Sequence, residues 1–153
     1  KALVERVGHA FIKERMAREN AVFAGEVSGH YYFRDFYYAD SGILPSLILL
    51  EMISKREMKM SEILAELEQK YFISGEINSR VQDPAAVIAA LRERYADGKQ
   101  ETLDGISVTY PDWHFNVRAS NTEPLLRLNL EAMSRAEMER RRDELLRLIR
   151  GEA

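Results

Sequence analysis

With 153 residues, 46% of them hydrophobic and 31% charged, the chain can bury one good core or two small ones. A formal net charge of -3 supplies no basic field for nucleic acid, and no apolar run approaches the ~20 residues of a membrane-spanning helix. The lack of cysteine excludes disulfides, thiolate catalysis and cysteine-ligated zinc, and it suits a cytoplasmic setting.

From Gly8 to Glu19 the apolar residues Phe11, Ile12 and Met16 recur at helical spacing among Lys13, Arg15 and Arg18, which predicts a surface helix ending at Asn20. Ala21 to Ala24 reads as a short buried strand. It leads into Gly25-Glu26-Val27-Ser28-Gly29-His30, where two glycines let the backbone turn and present Glu26, Ser28 and His30 at a strand end. Tyr31, Tyr32, Phe33, Phe36, Tyr37 and Tyr38 follow. Aromatics beside Arg34 could stack bases, but no basic patch surrounds them, so core and interface roles are expected and nucleic acid is not. Gly42 to Ser54 is apolar almost all round, which predicts a helix buried on several sides, capped by Asp40 or Ser41 and tolerating Pro45 in its first turn. Ser61 is expected to cap a further amphipathic helix carrying Ile63, Leu64 and Leu67.

The character changes near Tyr71. Ile73, Ile77 and Val81 alternate with polar residues as one half-buried strand, and Asp83-Pro84 starts a helix with the stripe Val87, Leu91 and Tyr95 that Asp97-Gly98 closes. Three alternating strands then carry Ile106, Val108 and Tyr110, then Trp113, Phe115 and Val117, then Leu126, Leu128 and Leu130. A final helix from Ser134 to Arg150 turns Met138, Leu145, Leu148 and Ile149 inward and its six arginines to solvent, with Glu137 and Arg141 paired at four-residue spacing. The expected architecture is an α+β domain at 71–153, a four-stranded mainly antiparallel sheet with two helices on one face. Before it, 1–70 reads as the closing part of an α/β domain.

The last two strands are joined by Arg118-Ala119-Ser120-Asn121-Thr122-Glu123-Pro124. A guanidinium offers a planar fork of donors to a phosphate face, and Ser and Thr hydroxyls with backbone N–H groups can fill the remaining oxygen lone pairs. Period-two arithmetic puts Arg118 on the polar face, opposite Trp113, Phe115 and Val117, with its head free for a ligand. A plain polar turn would use the same residue types.

Three stretches together, Gly8-His9, Gly25 to His30 and Arg118 to Pro124, resemble the C-terminal part of the α-D-phosphohexomutases, in particular bacterial phosphomannomutase/phosphoglucomutase. Their spacing, the Asp104-Gly105 hairpin and the Asp40-Ser41-Gly42 helix start fit that family too, although Arg6-Val7 stands where a Lys-Thr pair is common. The resemblance implies the end of the family's third domain and its fourth domain, within an enzyme that interconverts hexose 1-phosphate and hexose 6-phosphate. There a phosphoserine is the donor and hexose 1,6-bisphosphate the intermediate. It further implies that Arg118, Ser120, Asn121 and Thr122 hold the non-reacting phosphate, that Glu26 and Ser28, with His30 beside them, bind sugar hydroxyls, and that His9 is an acid/base candidate.

The serine nucleophile and the acidic magnesium loop of that family are absent from these residues. The chain alone is therefore expected to be inactive, with magnesium ligands and a catalytic serine supplied by preceding domains. The first half would also lack the strands its apolar helix packs against, so exposed apolar surface and self-association are expected there. The competing reading is a stand-alone sugar-phosphate-binding or interaction module. Mannose, glucose and glucosamine phosphates are left undistinguished.

Overall fold

A computed structural model describes residues 1–120 and 123–152, Glu66 through its backbone only. The chain divides into two compact units, Lys1–Ile63 and Leu64 onward.

In the first unit, α1 (His9–Glu19) ends at Asn20, whose left-handed backbone lets its own N–H reach back to the Ala17 carbonyl and the Ala21 N–H to the Met16 carbonyl. A small antiparallel sheet follows, in the order β1 (Phe23–Gly25), β2 (Tyr31–Phe33) and β3 (Ala39–Asp40), with a 3-10 turn at Arg34–Phe36. Ile12 and Met16 of α1 bury against Tyr32 of β2, and this contact fixes the helix on the sheet. The strand expected at Ala21 to Ala24 starts two residues later and is not buried, since Val22 and Phe23 are both exposed.

The helix α2 (Ile43–Arg56) forms where its composition places it, and Ser41 Oγ accepts from the Leu44 N–H at 3.2 Å. The burial that its composition suggests does not occur, and the exposed apolar surface expected for the first half is found here instead. None of its residues is buried, and Ile43, Leu47, Ile48, Leu49 and Leu50 are exposed, because no described element lies over them. In α3 (Met60–Glu68), which spans the division between the units, Ser61 is an interior residue rather than the cap. Glu62 instead reaches back to the Lys59 N–H at 2.8 Å.

Among the described residues the second unit has six strands where four are expected. Its sheet is antiparallel throughout, ordered β4 (Phe72–Ile73), β9 (Leu125–Ala132), β8 (Trp113–Ala119), β7 (Ile106–Thr109) and β6 (Lys99–Glu101), with β5 (Ile77–Arg80) pairing β9 on the same edge as β4. Two departures account for the difference. The segment read as one strand from Ile73 to Val81 is broken at Gly75, whose φ of 68° is left-handed, and β6 adds an edge. Gln100 of β6 faces inward and donates to the carbonyls of Arg92 at 2.7 Å and Tyr95 at 2.9 Å, capping the C-terminus of α4 (Pro84–Arg94).

The expected starts of both helices in this unit are present. Asp83 Oδ1 accepts from the Ala86 N–H at 3.0 Å, and Ser134 Oγ accepts from the Glu137 N–H at the head of α5 (Arg135–Arg150). Both helices cover one sheet face, burying Leu91, Met138, Leu145 and Ile149 against Ile106, Val108, Phe115, Val117, Leu126 and Leu128. Leu148, expected inward, is exposed. Tyr95 meets Phe115 edge-on at 5.1 Å, and Tyr110 stacks on Trp113 at 4.6 Å. Burial first, then its hydrogen bond to Asp97, pushes the Tyr110 phenol up to about 12.

The arginines of α5 are not all solvent charges. Arg141 lies 4.3 Å over the Trp113 ring and Arg150 Nε is 3.4 Å from Ser79 Oγ. Glu137 accepts from Arg140 and Arg141, which hold its carboxyl below the ordinary value of 4.5. A folded-state value below the unfolded one adds stability that is complete above pH 4.5 and drains as pH falls through the lower value. Glu137→Gln is therefore expected to cost about 0.5–1 kcal/mol at pH 7 and less at pH 3. Urea unfolding at the two pH values checks this.

Candidate functional site

The first candidate stretch is the loop between β1 and β2. Gly25 pairs with Tyr31, the Glu26 N–H donates to the His30 carbonyl at 2.9 Å, and the Gly29 N–H donates to the Glu26 carbonyl at 2.9 Å. This double closure needs φ of 85° at position 29, which glycine adopts without strain. The side chains of Glu26, Ser28 and His30 are thereby gathered on one turn.

Each of them has a partner the sequence reading did not assign. The Tyr32 hydroxyl donates to Glu26 Oε1 from a fully buried ring, and burial together with the nearby carboxylate raises its pKa far above the ordinary value, so it stays a donor. That bond orients Glu26 and leaves Oε2 to accept from a hydroxyl. Ser28 Oγ lies 2.9 Å from His30 Nδ1, and His30 Nε2 lies 4.0 Å from Asp40 Oδ2. The order serine, histidine, aspartate is that of a nucleophile relay, but 4.0 Å exceeds hydrogen-bond range and His30 is 53% exposed. These groups suit hydrogen bonding to a polyol better than acyl transfer.

His9 is the first residue of α1 and is exposed. The Gly8 carbonyl before it accepts from the N–H groups of Phe11 and Ile12, and the Arg6 guanidinium sits 3.3 Å over the Phe11 ring. The burial of Ile12 and Met16 on Tyr32 ties this helix to the strand that carries the Glu26 partner.

In the second unit the candidate stretch is the β8–β9 hairpin. Its last strand pair is Ala119 with Leu126, after which the Ser120 N–H donates to the Leu125 carbonyl at 2.8 Å and the Leu125 N–H donates to the Glu123 carbonyl at 2.7 Å. Asn121 and Thr122 lie outside the described residues. Arg118 is on the polar face of the sheet as period two requires, with His114 and Asn116 on the same side.

Its head, however, is not free. The side chain is only 13% exposed, and Nη2 is 3.1 Å from Glu76 Oε2, while Glu76 Oε1 is 3.2 Å from Nη1 of Arg127. Arg127 stands directly across from Arg118 in the strand register. Two like charges facing each other on a sheet repel, and a carboxylate placed between them offsets that. Glu76 and Arg127 thus join Arg118 at the hairpin, although neither stands out in the sequence. Two arginines on one face, flanking a hairpin, are the pattern that could have prompted a search for a counter-charge.

Beneath this cluster the turn between β6 and β7 presses on β8. Asn116 Nδ2 donates to the carbonyl of Asp104 at 2.9 Å and to Ser107 Oγ at 3.0 Å, and Gly105, at φ 71°, lies against the backbone of Val117 and Arg118. Hollows on the helical side of the unit, such as one lined by Arg140, Asp143 and Arg147, involve none of these residues. Among the described residues no group of three or more His, Asp or Glu could hold a metal ion. Nor is any described helix long and apolar enough to cross a membrane.

Comparison with known proteins gives a consistent result for both units. Residues 1–71 match the family model of phosphoglucomutase/phosphomannomutase, alpha/beta/alpha domain III, and residues 76–148 match that of the phosphoglucomutase/phosphomannomutase C-terminal domain. A protein named phosphohexose mutases from Xanthomonas campestris pv. campestris is 47% identical over 147 residues, covering 94% of this chain and 33% of its own length. A phosphomannomutase from Escherichia coli is 42% identical over 151 residues, covering 97% of this chain and 33% of its own. The crystal structure of a phosphoglucomutase/phosphomannomutase family protein from Burkholderia thailandensis superposes with a TM-score of 0.75 at 32% identity, over 95% of this chain and 31% of that one. The chain thus spans about a third of the length of the curated relatives it matches.

Proposed function

Because the chain belongs to the phosphoglucomutase/phosphomannomutase family, with both of its units matched, we propose that it is the sugar- and phosphate-recognition part of a phosphohexomutase. The whole protein would interconvert hexose 1-phosphate and hexose 6-phosphate through a phosphoserine and a bisphosphorylated sugar. Residues 1–70 and 71–153 would serve as two domains of it, in a cytoplasmic setting.

The observation that carries this reading is the β8–β9 hairpin. It presents Arg118 and Ser120 at the end of a rigid two-stranded ladder, with the guanidinium already fixed by an ion pair. Arg118 would meet a phosphate face with its fork of donors, while Ser120, Asn121 and Thr122 would fill the remaining oxygens. Glu26, oriented by Tyr32, would accept from sugar hydroxyls, with Ser28 and His30 alongside. His9 would act as acid or base near the reacting end. Magnesium would neutralise charge on the transferring group in the whole protein, held by ligands outside the described residues.

Calorimetric titration of the 153-residue chain with glucose 1-phosphate, mannose 1-phosphate, glucosamine 1-phosphate and unphosphorylated glucose tests this. At least one hexose phosphate is expected to bind, and glucose at least about 10-fold more weakly, since it lacks the charged group that Arg118 recognises. Equal binding of glucose, or no binding of any phosphate, overturns the proposal. The order among the three phosphates gives the sugar preference.

A further inference from the structure

We propose that Glu76 is a positioning residue for phosphate at the β8–β9 hairpin. Its carboxylate, shared between Arg118 and Arg127, fixes the direction in which the Arg118 guanidinium faces. This rests on the reading of the hairpin as a phosphate site.

Glu76 is itself held on both sides. Before it, the Ser74 N–H donates to the Leu130 carbonyl at 2.8 Å, and Ser74 Oγ accepts from the Leu130 N–H at 3.0 Å. Gly75 then turns the chain at φ 68°. After it, Ile77 pairs with Leu128. The backbone of Glu76 is therefore held between two contacts with β9, at Ser74 before the Gly75 turn and at Ile77 after it.

From this fixed base each carboxylate oxygen serves one guanidinium, Oε2 to Arg118 and Oε1 to Arg127. Two acceptors engaged by two different cations set the carboxylate plane, and a set plane in turn sets the guanidinium planes. Arg127 depends on this contact more than its exposure suggests, because its Nε is buried with no hydrogen-bond partner among the described residues. Without Glu76 the cross-strand arginines would repel, and the Arg118 side chain, no longer tethered at Nη2, would gain rotamers that binding must then remove.

A purely electrostatic role makes the opposite forecast. A carboxylate near a phosphate site lowers the local positive potential, so its removal would strengthen anion binding if neutralisation were all it did. Glu76→Gln keeps the shape and removes the charge. Glu76→Asp keeps the charge but shortens the side chain by one methylene, so it cannot reach both arginines in the same way.

Calorimetry with glucose 1-phosphate on the 153-residue chain decides between them. Both variants are expected to bind about 10-fold more weakly than the wild type, and Glu76→Gln is expected to add no further loss in an Arg118→Ala background. Unchanged or tighter binding by Glu76→Gln, with wild-type binding present and Arg118→Ala impaired, overturns the positioning role and leaves the phosphate site intact. A full further loss from Glu76→Gln in the Arg118→Ala background overturns it equally, because the effect would not pass through Arg118. If the wild-type chain binds no glucose 1-phosphate or other hexose phosphate, the site reading fails and this inference with it.

Discussion

Gly105→Ala is expected to destabilise the second unit by about 3 kcal/mol, well above the effect of an ordinary surface substitution. Two terms add. At φ 71° an alanine pays roughly 1 kcal/mol for left-handed backbone, and its Cβ would stand 2.2 Å from the Val117 carbonyl oxygen and 2.7 Å from Arg118 Cα. Both of those atoms are backbone atoms of β8, so no side-chain rotation relieves the overlap and the turn must lift off the sheet. Lifting it would also break the bonds from Asn116 to Asp104 and Ser107, disturbing the strand that carries Arg118. Gly29→Ala is the control. Its φ of 85° is equally left-handed, but nothing lies within 4 Å of the added Cβ, so only the conformational cost of about 1 kcal/mol applies. Urea unfolding of the two variants should differ clearly; equal losses would show that the close approach at Gly105 is not what requires glycine there.

Arg118→Ala is expected to weaken hexose phosphate binding about 100-fold, the loss that goes with removing a charge-assisted donor fork. Its effect on stability should be small by comparison. The partner Glu76 keeps its contact with Arg127 at 3.2 Å and is 28% exposed, so it is not left as an unpaired buried charge. Arg118→Lys should recover only part of the affinity, because an ammonium restores the charge without the planar fork. Titration with glucose 1-phosphate and urea unfolding, run on the same samples, separate the two effects. An Arg118→Ala chain that binds as the wild type does would remove Arg118 from the site.

Much of the second unit can be read directly from its residues, for a physical reason. A sheet covered on one face only must alternate, so Trp113, Phe115 and Val117 in β8 and Leu126, Leu128 and Leu130 in β9 mark both the strands and the covered face. The Asp83-Pro84 and Ser134 helix starts are equally legible, because capping depends on near neighbours. What escaped depends on distant ones. In β6 the inward residue is the polar Gln100, whose purpose, capping α4, is apparent only once helix and strand are side by side. The helix α2 is the opposite case: its composition alone suggests burial, but the lack of strands to lie against already predicts the exposed apolar surface that the structure has.

The same division runs through the candidate site. The face on which Arg118 lies follows from counting by twos, but its pairing with Glu76 joins residues 42 positions apart and has no local signature. Tyr32 is similar. In a run of six aromatics nothing marks it as the buried ring whose hydroxyl holds Glu26.

The two margins of the six-stranded sheet also bear on how the second unit avoids pairing with foreign strands in a crowded solution. Unpaired strand margins invite other chains to add on, and long, flat, apolar margins are the most inviting. One margin here is β6, only three residues long, with Lys99 and Glu101 joined by a 3.0 Å ion pair. The other is interrupted between Ile73 and Ile77, where Gly75 turns the backbone and Ser74 spends its hydrogen bonds on Leu130. Neither offers a straight ladder long enough to template a foreign strand, so the break that carries Glu76 toward the arginines also blunts a route to aggregation.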